Sequence, residues 1–211
     1  NGEFTAGARP RWFDKRSPVD NRLIAQIAEA GRAEVDAAVR AAHAAQKGVW
    51  GELTTEQRVD LLYGVADEIT RRFEDFVAAE MADTGQPNHV QRHVFIPRGA
   101  ANFKVFADVI KNVPAESFQM ATPDGKGALN HAIRVPKGVI GVISPWNAPF
   151  LLMTWKVGPA LACGNTVVVK PSEETPLTAT LLGEVMNKVG IPKGVYNVVN
   201  GFGPNSAGEL S

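Results

Sequence analysis

The sequence predicts an α/β protein with a helical amino-terminal part, a β-hairpin arm and a parallel sheet built as strand, helix, strand, helix, strand. Three observations carry that prediction. Apolar residues recur at helical spacing from residue 33 to about residue 112. Residues 116–135 alternate apolar and polar side chains about Pro123-Asp124-Gly125, which is turn chemistry between two strands. From Gly138 onward, continuous apolar runs alternate with helical stretches, the pattern of strands buried on both faces and joined by right-handed crossovers.

The elements follow in order. In "AEVDAAVRAAHAAQ", Val35, Ala38, Val39, Ala42 and Ala45 share one face, and Gly48 ends the helix. Thr54 and Gln57 form a capping box, after which Val59, Leu62, Val65, Ala66, Ile69, Phe73, Phe76 and Val77 predict a helix running on toward Gly85. A third helix is predicted over 89–112, with Pro97 starting or kinking it. The hairpin has little core of its own and must lean on another surface, in its own subunit or in a partner. The final zone predicts strands at 139–143, 166–170 and 195–199 and helices at 150–163 and 176–189. Expected boundaries are 1–115 for the helical part, 116–137 for the hairpin and 138–211 for the sheet.

Composition narrows the functional classes. A chain of 211 residues, 45% hydrophobic and 21% charged, can bury one sizeable core or two small ones. Lys and Arg balance Asp and Glu at 22 each, so no net field draws it to nucleic acid or an anionic membrane. One cysteine excludes an intrachain disulfide framework and a multi-cysteine metal site, and fits a reducing cytoplasm. His89 and His93 stand at i, i+4 without the further ligand a metal site needs, so no metal is expected. No run approaches the roughly 20 apolar residues of a membrane helix, and the polar start lacks a secretory signal's apolar region. It also lacks an initiator Met, so a chain trimmed at its front is expected.

Ligands of parallel α/β sheets bind beyond the carboxyl ends of the strands, which singles out three loops. In "SPWNAP", two prolines stiffen the backbone around Asn147, whose amide suits an oxygen gaining charge during carbonyl attack or, alternatively, a helix N-cap. In "KPSEETP", Lys170 and Glu173 can clasp a sugar diol or form a solvated charged turn. "NGFGPNSAGE" lets a ligand approach Gly201, Gly203 and Gly208, although it is not the G-x-G-x-x-G fingerprint. Cys163, at the end of an apolar helix with no His nearby, is expected to be buried packing rather than a nucleophile.

Taken together, "PWNAPFLLMTWKVGPALACGNTVVVKPSEETPLTA" and "GIPKGVYNVVNGFGPNSAGE" resemble the NAD(P)-dependent aldehyde dehydrogenase superfamily. "AEVDAAVRAAHAAQKGVW" and "TTEQRVDLLYGVADEI" are similar to its amino-terminal helices, so the resemblance spans nearly the whole chain. It implies that the sheet is part of a Rossmann-like NAD-binding domain and that the hairpin is an oligomerisation arm of a homodimer or homotetramer. It further implies that Asn147 is the oxyanion donor, that Lys170 and Glu173 hold the adenosine ribose and that Ser172 belongs to the cofactor site. Ile143, Ser144, Pro145, Trp146, Gly203 and Pro204 would line the dinucleotide cleft. A carboxylate at Glu173 would repel a 2′-phosphate, favouring NAD over NADP.

The family's mechanism is addition of a cysteine thiolate to the aldehyde, hydride transfer to nicotinamide, and hydrolysis of the thioester by water that a Glu activates. In the family that Cys and Glu lie further along than Ser211, so the 211 residues alone are expected to be an inactive first half with an exposed apolar edge. "RSPVDNRLIAQIAEAGRAEVDAAV", "IPRGAANFKVFAD" and "GFGPNSAGE" resemble most the branch acting on 2-hydroxymuconic or 2-aminomuconic semialdehyde. That resemblance implies that Arg98 meets the substrate carboxylate, unless it serves as a surface ion-pair partner, and that Leu152 and Trp155 wall the aldehyde tunnel, unless they are core. Other aldehyde dehydrogenase branches, such as those using betaine aldehyde or aliphatic aldehydes, and a non-catalytic assembly module are the alternatives.

Overall fold

The computed structural model describes residues 2–7 and 11–203. Strands β1 (Arg11–Arg16) and β2 (Leu23–Glu29) open the chain as an antiparallel hairpin, which the periodicity did not predict. Its turn holds Asn21 at φ 59, a left-handed conformation that Asn tolerates better than most residues. Helices α1 (Arg32–Lys47), α2 (Val49–Glu52), α3 (Thr55–Arg71) and α4 (Phe73–Thr84) follow. The predicted capping box is present: Gln57 N–H donates to Thr54 Oγ1 and Thr54 N–H to Gln57 Oε1.

The long helix expected from Thr54 to Gly85 is instead two. It breaks at Arg72, whose φ of −95° and ψ of 23° leave the helical path. Its guanidinium then holds Asp75 at 2.9 Å and Glu184 at 2.7 Å, fastening the break to a helix more than a hundred residues away. The predicted third helix likewise divides into α5 (Asn88–Val90), a π turn over Gln91–Phe95, and α6 (Ile96–Lys111). Pro97 lacks an N–H and crowds the carbonyl four residues back, and the wider π turn accommodates both.

Strands β3 (Ser117–Met120) and β4 (Ala128–His131) pair antiparallel, as the alternation predicts. They project outward, with Phe118 62% and Leu129 58% exposed.

The parallel sheet comprises β5 (Val139–Ile143), β6 (Thr166–Lys170) and β7 (Tyr196–Val198), linked by α7 (Pro149–Ala162) and α8 (Leu177–Lys188). Its order is β5-β6-β7, with Val139 opposite Thr166 and Val167 opposite Tyr196. Every residue of β6 is buried. Alternate side chains serve opposite faces: Val167 and Val169 pack into the main core with α3, α6, α7 and α8, whereas Val168 packs with Val35 and Ala42 of α1. Full burial of each such valine contributes about 1.5–3 kcal/mol, so β6 has far more to gain as a central strand than at an edge. Trp50, wholly buried, donates to the carbonyl of Asn165 at 3.0 Å just before β6, and the Asn165 amide oxygen accepts from Gly138 N–H at 2.9 Å just before β5. The two strand entrances are thereby aligned, and their carboxyl ends emerge side by side.

Candidate functional site

At that carboxyl end, Ser144 N–H donates to the carbonyl of Lys170 at 3.1 Å, joining the loops that leave β5 and β6. Asn147 is exposed in the first loop. The N-cap alternative does not hold, because the cap of α7 is Ala148, which offers no side-chain hydrogen bond, and Pro149 opens the helix. Capping is done from a distance instead. Glu80 of α4, wholly buried, accepts the Phe150 N–H at 3.2 Å. The Asn147 amide is consequently left uncommitted among the described residues.

The second loop repeats the device. The cap of α8 is Pro176, again without a side-chain bond, and Asp83 accepts the Leu177 N–H at 2.8 Å. Glu80 and Asp83, one turn apart, thus terminate the two helices that carry both loops. Lys15 of β1 lies 3.9 Å from Asp83 Oδ1 and donates to the Asp83 carbonyl at 3.1 Å, with both side chains buried. Burial pushes the Glu80 carboxyl up to about 8, with the Phe150 N–H opposing that rise and the neighbouring Asp83 charge adding to it. Burial raises Asp83 to about 7, held from going higher by the Leu177 N–H and Lys15. These residues were not singled out in the sequence. The available signal was that Glu80 and Asp83 continue the Phe76 and Val77 face of α4, where charge is unexpected.

Lys170 is buried, and its ammonium donates to Glu173 at 3.3 Å and to the Pro171 carbonyl at 3.1 Å. The turn is therefore an anchored pair, with a partly exposed Glu173 carboxylate facing a fixed cation rather than a freely solvated charge cluster. Ser172 caps the turn by accepting the Glu174 N–H at 3.2 Å. The Ser144 and Thr175 hydroxyls are buried and have no hydrogen-bond partner among the described residues. Among the described residues, no atom lies within 4 Å of where a Cβ on Gly203 would stand. Pro204 lies outside the described residues, as does the loop beyond it.

Ile143 is 52% exposed and Trp146 63%, with Pro145 half-buried between them. Trp155 is 49% exposed and Leu152 half-buried on α7, so core packing does not account for Trp155. Arg98 is exposed and makes no ion pair among the described residues. It directly precedes Gly99, whose missing side chain admits the Phe150 ring: a Cβ there would sit 2.5 Å from two ring carbons. That contact sets Arg98 near the start of α7.

Cys163 corrects one expectation, since it is exposed rather than buried. It follows the last turn of α7 and precedes Gly164 at φ 81, so the chain turns there and leaves the thiol outside. Its thiol stands at the opposite end of α7 from the Asn147 loop. Fourteen residues of α7 separate it from the Asn147 loop, about 21 Å at 1.5 Å per residue. Among the described residues, no group of three or more His, Cys, Asp or Glu side chains stands ready for a metal. Nor is any described helix long and apolar enough to cross a membrane.

A parallel α/β unit with stiffened loops gathered at its strands' carboxyl ends has the architecture in which ligands, where present, sit beyond those ends. The family model of the aldehyde dehydrogenase family matches residues 4–211, and the chain belongs to that family. It is 65% identical to the 2-hydroxymuconic semialdehyde dehydrogenase of Pseudomonas sp. (strain CF600), over 100% of this chain and 43% of that protein. It is 59% identical to a 2-aminomuconic 6-semialdehyde dehydrogenase of Pseudomonas sp., over 94% of this chain and 40% of the relative. The NAD+ complex of an aldehyde dehydrogenase from Bacillus cereus superposes with a TM-score of 0.88 at 35% identity, covering 94% of this chain and 40% of that one. The chain spans about two fifths of the length of the relatives it matches.

Proposed function

We propose that the protein containing these residues oxidises a carboxylated semialdehyde of the 2-hydroxymuconic type to its acid with NAD, and that residues 1–211 supply the oxyanion donor and the adenosine side of the cofactor cleft. The observation that carries this is the uncommitted Asn147 amide, released from capping by Glu80 and held at the carboxyl end of β5. The relatives' substrates, named at 65% and 59% identity, support the choice of aldehyde.

The residues fit the cofactor. The buried, partnerless Ser144 hydroxyl and the space beside Gly203, open among the described residues, offer polar and steric room for a dinucleotide. Glu173 accepts from the ribose hydroxyls while Lys170 fixes its carboxylate, and that negative charge opposes a 2′-phosphate. Ile143, Pro145, Trp146, Ser172 and Pro204 complete the cleft wall. NAD, when bound, supplies the acceptor for the hydride lost by the aldehyde carbon.

When a nucleophile adds to the aldehyde, the carbonyl oxygen gains charge and the Asn147 N–H stabilises it. Arg98 grips the substrate carboxylate bidentately, and Leu152 and Trp155 confine the chain between the carboxylate and the aldehyde. The nucleophilic thiol is supplied by residues other than these, because Cys163 stands at the far end of α7, so the isolated chain has no dehydrogenase activity. The exposed β3–β4 hairpin pairs with a second copy in a homodimer or homotetramer. The reaction takes place in the cytoplasm.

The test is NADH formation by the full-length protein with 2-hydroxymuconic semialdehyde, betaine aldehyde and an aliphatic aldehyde, repeated with Arg98→Ala. Loss of a charge-assisted pair worth about 1.5–3 kcal/mol lowers kcat/KM for the carboxylated substrate by about 10- to 100-fold and leaves the uncharged aldehydes unchanged. Preference for an uncharged aldehyde, or an equal loss on all three, rejects the reading.

A further inference from the structure

Asn147 must present its amide at a fixed point, yet the prolines on either side fix φ only at their own positions. Its own backbone is held by a side chain from elsewhere: Gln86 Nε2 donates to the Asn147 carbonyl at 2.9 Å. Gln86 is in turn oriented by Gln91, whose Nε2 donates to Gln86 Oε1 at 3.1 Å. Gln91 is fully buried at the start of the π turn. The backbone of Gln86 is set as well. Its N–H donates to Thr84 Oγ1 at 3.2 Å, and the preceding Gly85, at φ 67, ends α4 through a bond to the Met81 carbonyl.

We propose that Gln86, held by Gln91, is the positioning residue that fixes Asn147, so that the end of α4 sets the geometry of the oxyanion donor. The inference rests on the proposed role of Asn147. Gln86 touches no reacting atom and acts only through the Asn147 main chain. Glu80 of α4 holds Phe150 N–H just beyond the loop, so α4 and its exit hold the chain both at Asn147 and three residues further on. A donor misplaced by a fraction of an ångström loses part of the stabilisation that full removal would lose, which is about 10²–10³ in rate.

The experiment uses the full-length protein with Gln86→Ala, Gln86→Glu, which keeps the shape but offers no N–H, and Gln86→Lys, which restores a donor. Hydrogen exchange of the backbone over residues 144–150 is read first, since it needs no turnover. Faster exchange in Gln86→Ala and Gln86→Glu, with partial recovery in Gln86→Lys, is expected, and unchanged exchange overturns the proposal. In the kinetic arm, Gln86→Ala lowers kcat by about ten-fold with KM for NAD unchanged, and the loss vanishes in an Asn147→Ala background. A loss that persists undiminished in that background overturns the proposal. A wild-type protein that oxidises no aldehyde would refute the proposed function, while the exchange result still decides whether Gln86 holds Asn147.

Discussion

Replacing Glu80 with Gln keeps the shape and the acceptor for Phe150 N–H but removes the titration. Glu80 is wholly buried, and its folded carboxyl sits at about 8 against an ordinary value of 4.5. Between those values the folded state holds a proton that the unfolded state has released, so stability falls as pH rises. The contribution is fully present below about 4.5 and is lost as pH passes through about 8. Between about pH 6 and about pH 8 the loss from this one group is about 2 kcal/mol. Urea unfolding followed by fluorescence, in which the buried Trp50 reports on this core, should show wild-type stability declining over that interval. The Glu80→Gln decline should be shallower by that amount, because the similarly directed contribution of Asp83 remains in both proteins. Parallel curves for the two proteins would refute the assignment of a protonated carboxyl to Glu80.

Other perturbations separate packing from binding. Gly99→Ala forces a Cβ to within 2.5 Å of the Phe150 ring, itself packed against Phe76 in a tilted pair with centroids 4.8 Å apart, so the ring has little room to yield. The cost is about 1–3 kcal/mol, read as a lowered urea midpoint. Glu173→Gln removes the charge that accepts from the ribose, so the Kd for NAD by titration calorimetry rises about ten-fold and discrimination against NADP narrows. An unchanged ratio of the two cofactors' affinities would contradict the role given to Glu173.

Much of the fold was legible because burial on both faces leaves unbroken apolar runs, as in Thr166–Lys170, and the loops of interest follow directly from where such strands end. The β1–β2 hairpin was missed because its strands are mostly exposed or half-buried, and its one inward side chain is Lys15, which reads as surface. The break at Arg72 was hidden because the apolar stripe continues across it and only the backbone angles change. In the site, residue type and loop position made Asn147, Lys170 and Glu173 candidates with an alternative open for each, and only the family resemblance implied their roles. The groups that set their geometry did not stand out, because Glu80 and Asp83 lie on α4, Gln86 at its exit and Gln91 in the π turn, and only the fold brings them to those loops. Cys163 was misjudged on the general tendency of free cysteines to be buried, which a helix end can override.

The most direct test is kcat of Asn147→Ala in the full-length protein with 2-hydroxymuconic semialdehyde and saturating NAD. Loss of the oxyanion donor predicts a fall of about 10²–10³ in kcat with NAD affinity unchanged. A kcat within about two-fold of wild type, well short of the loss that removing such a donor brings, would contradict the account of this site.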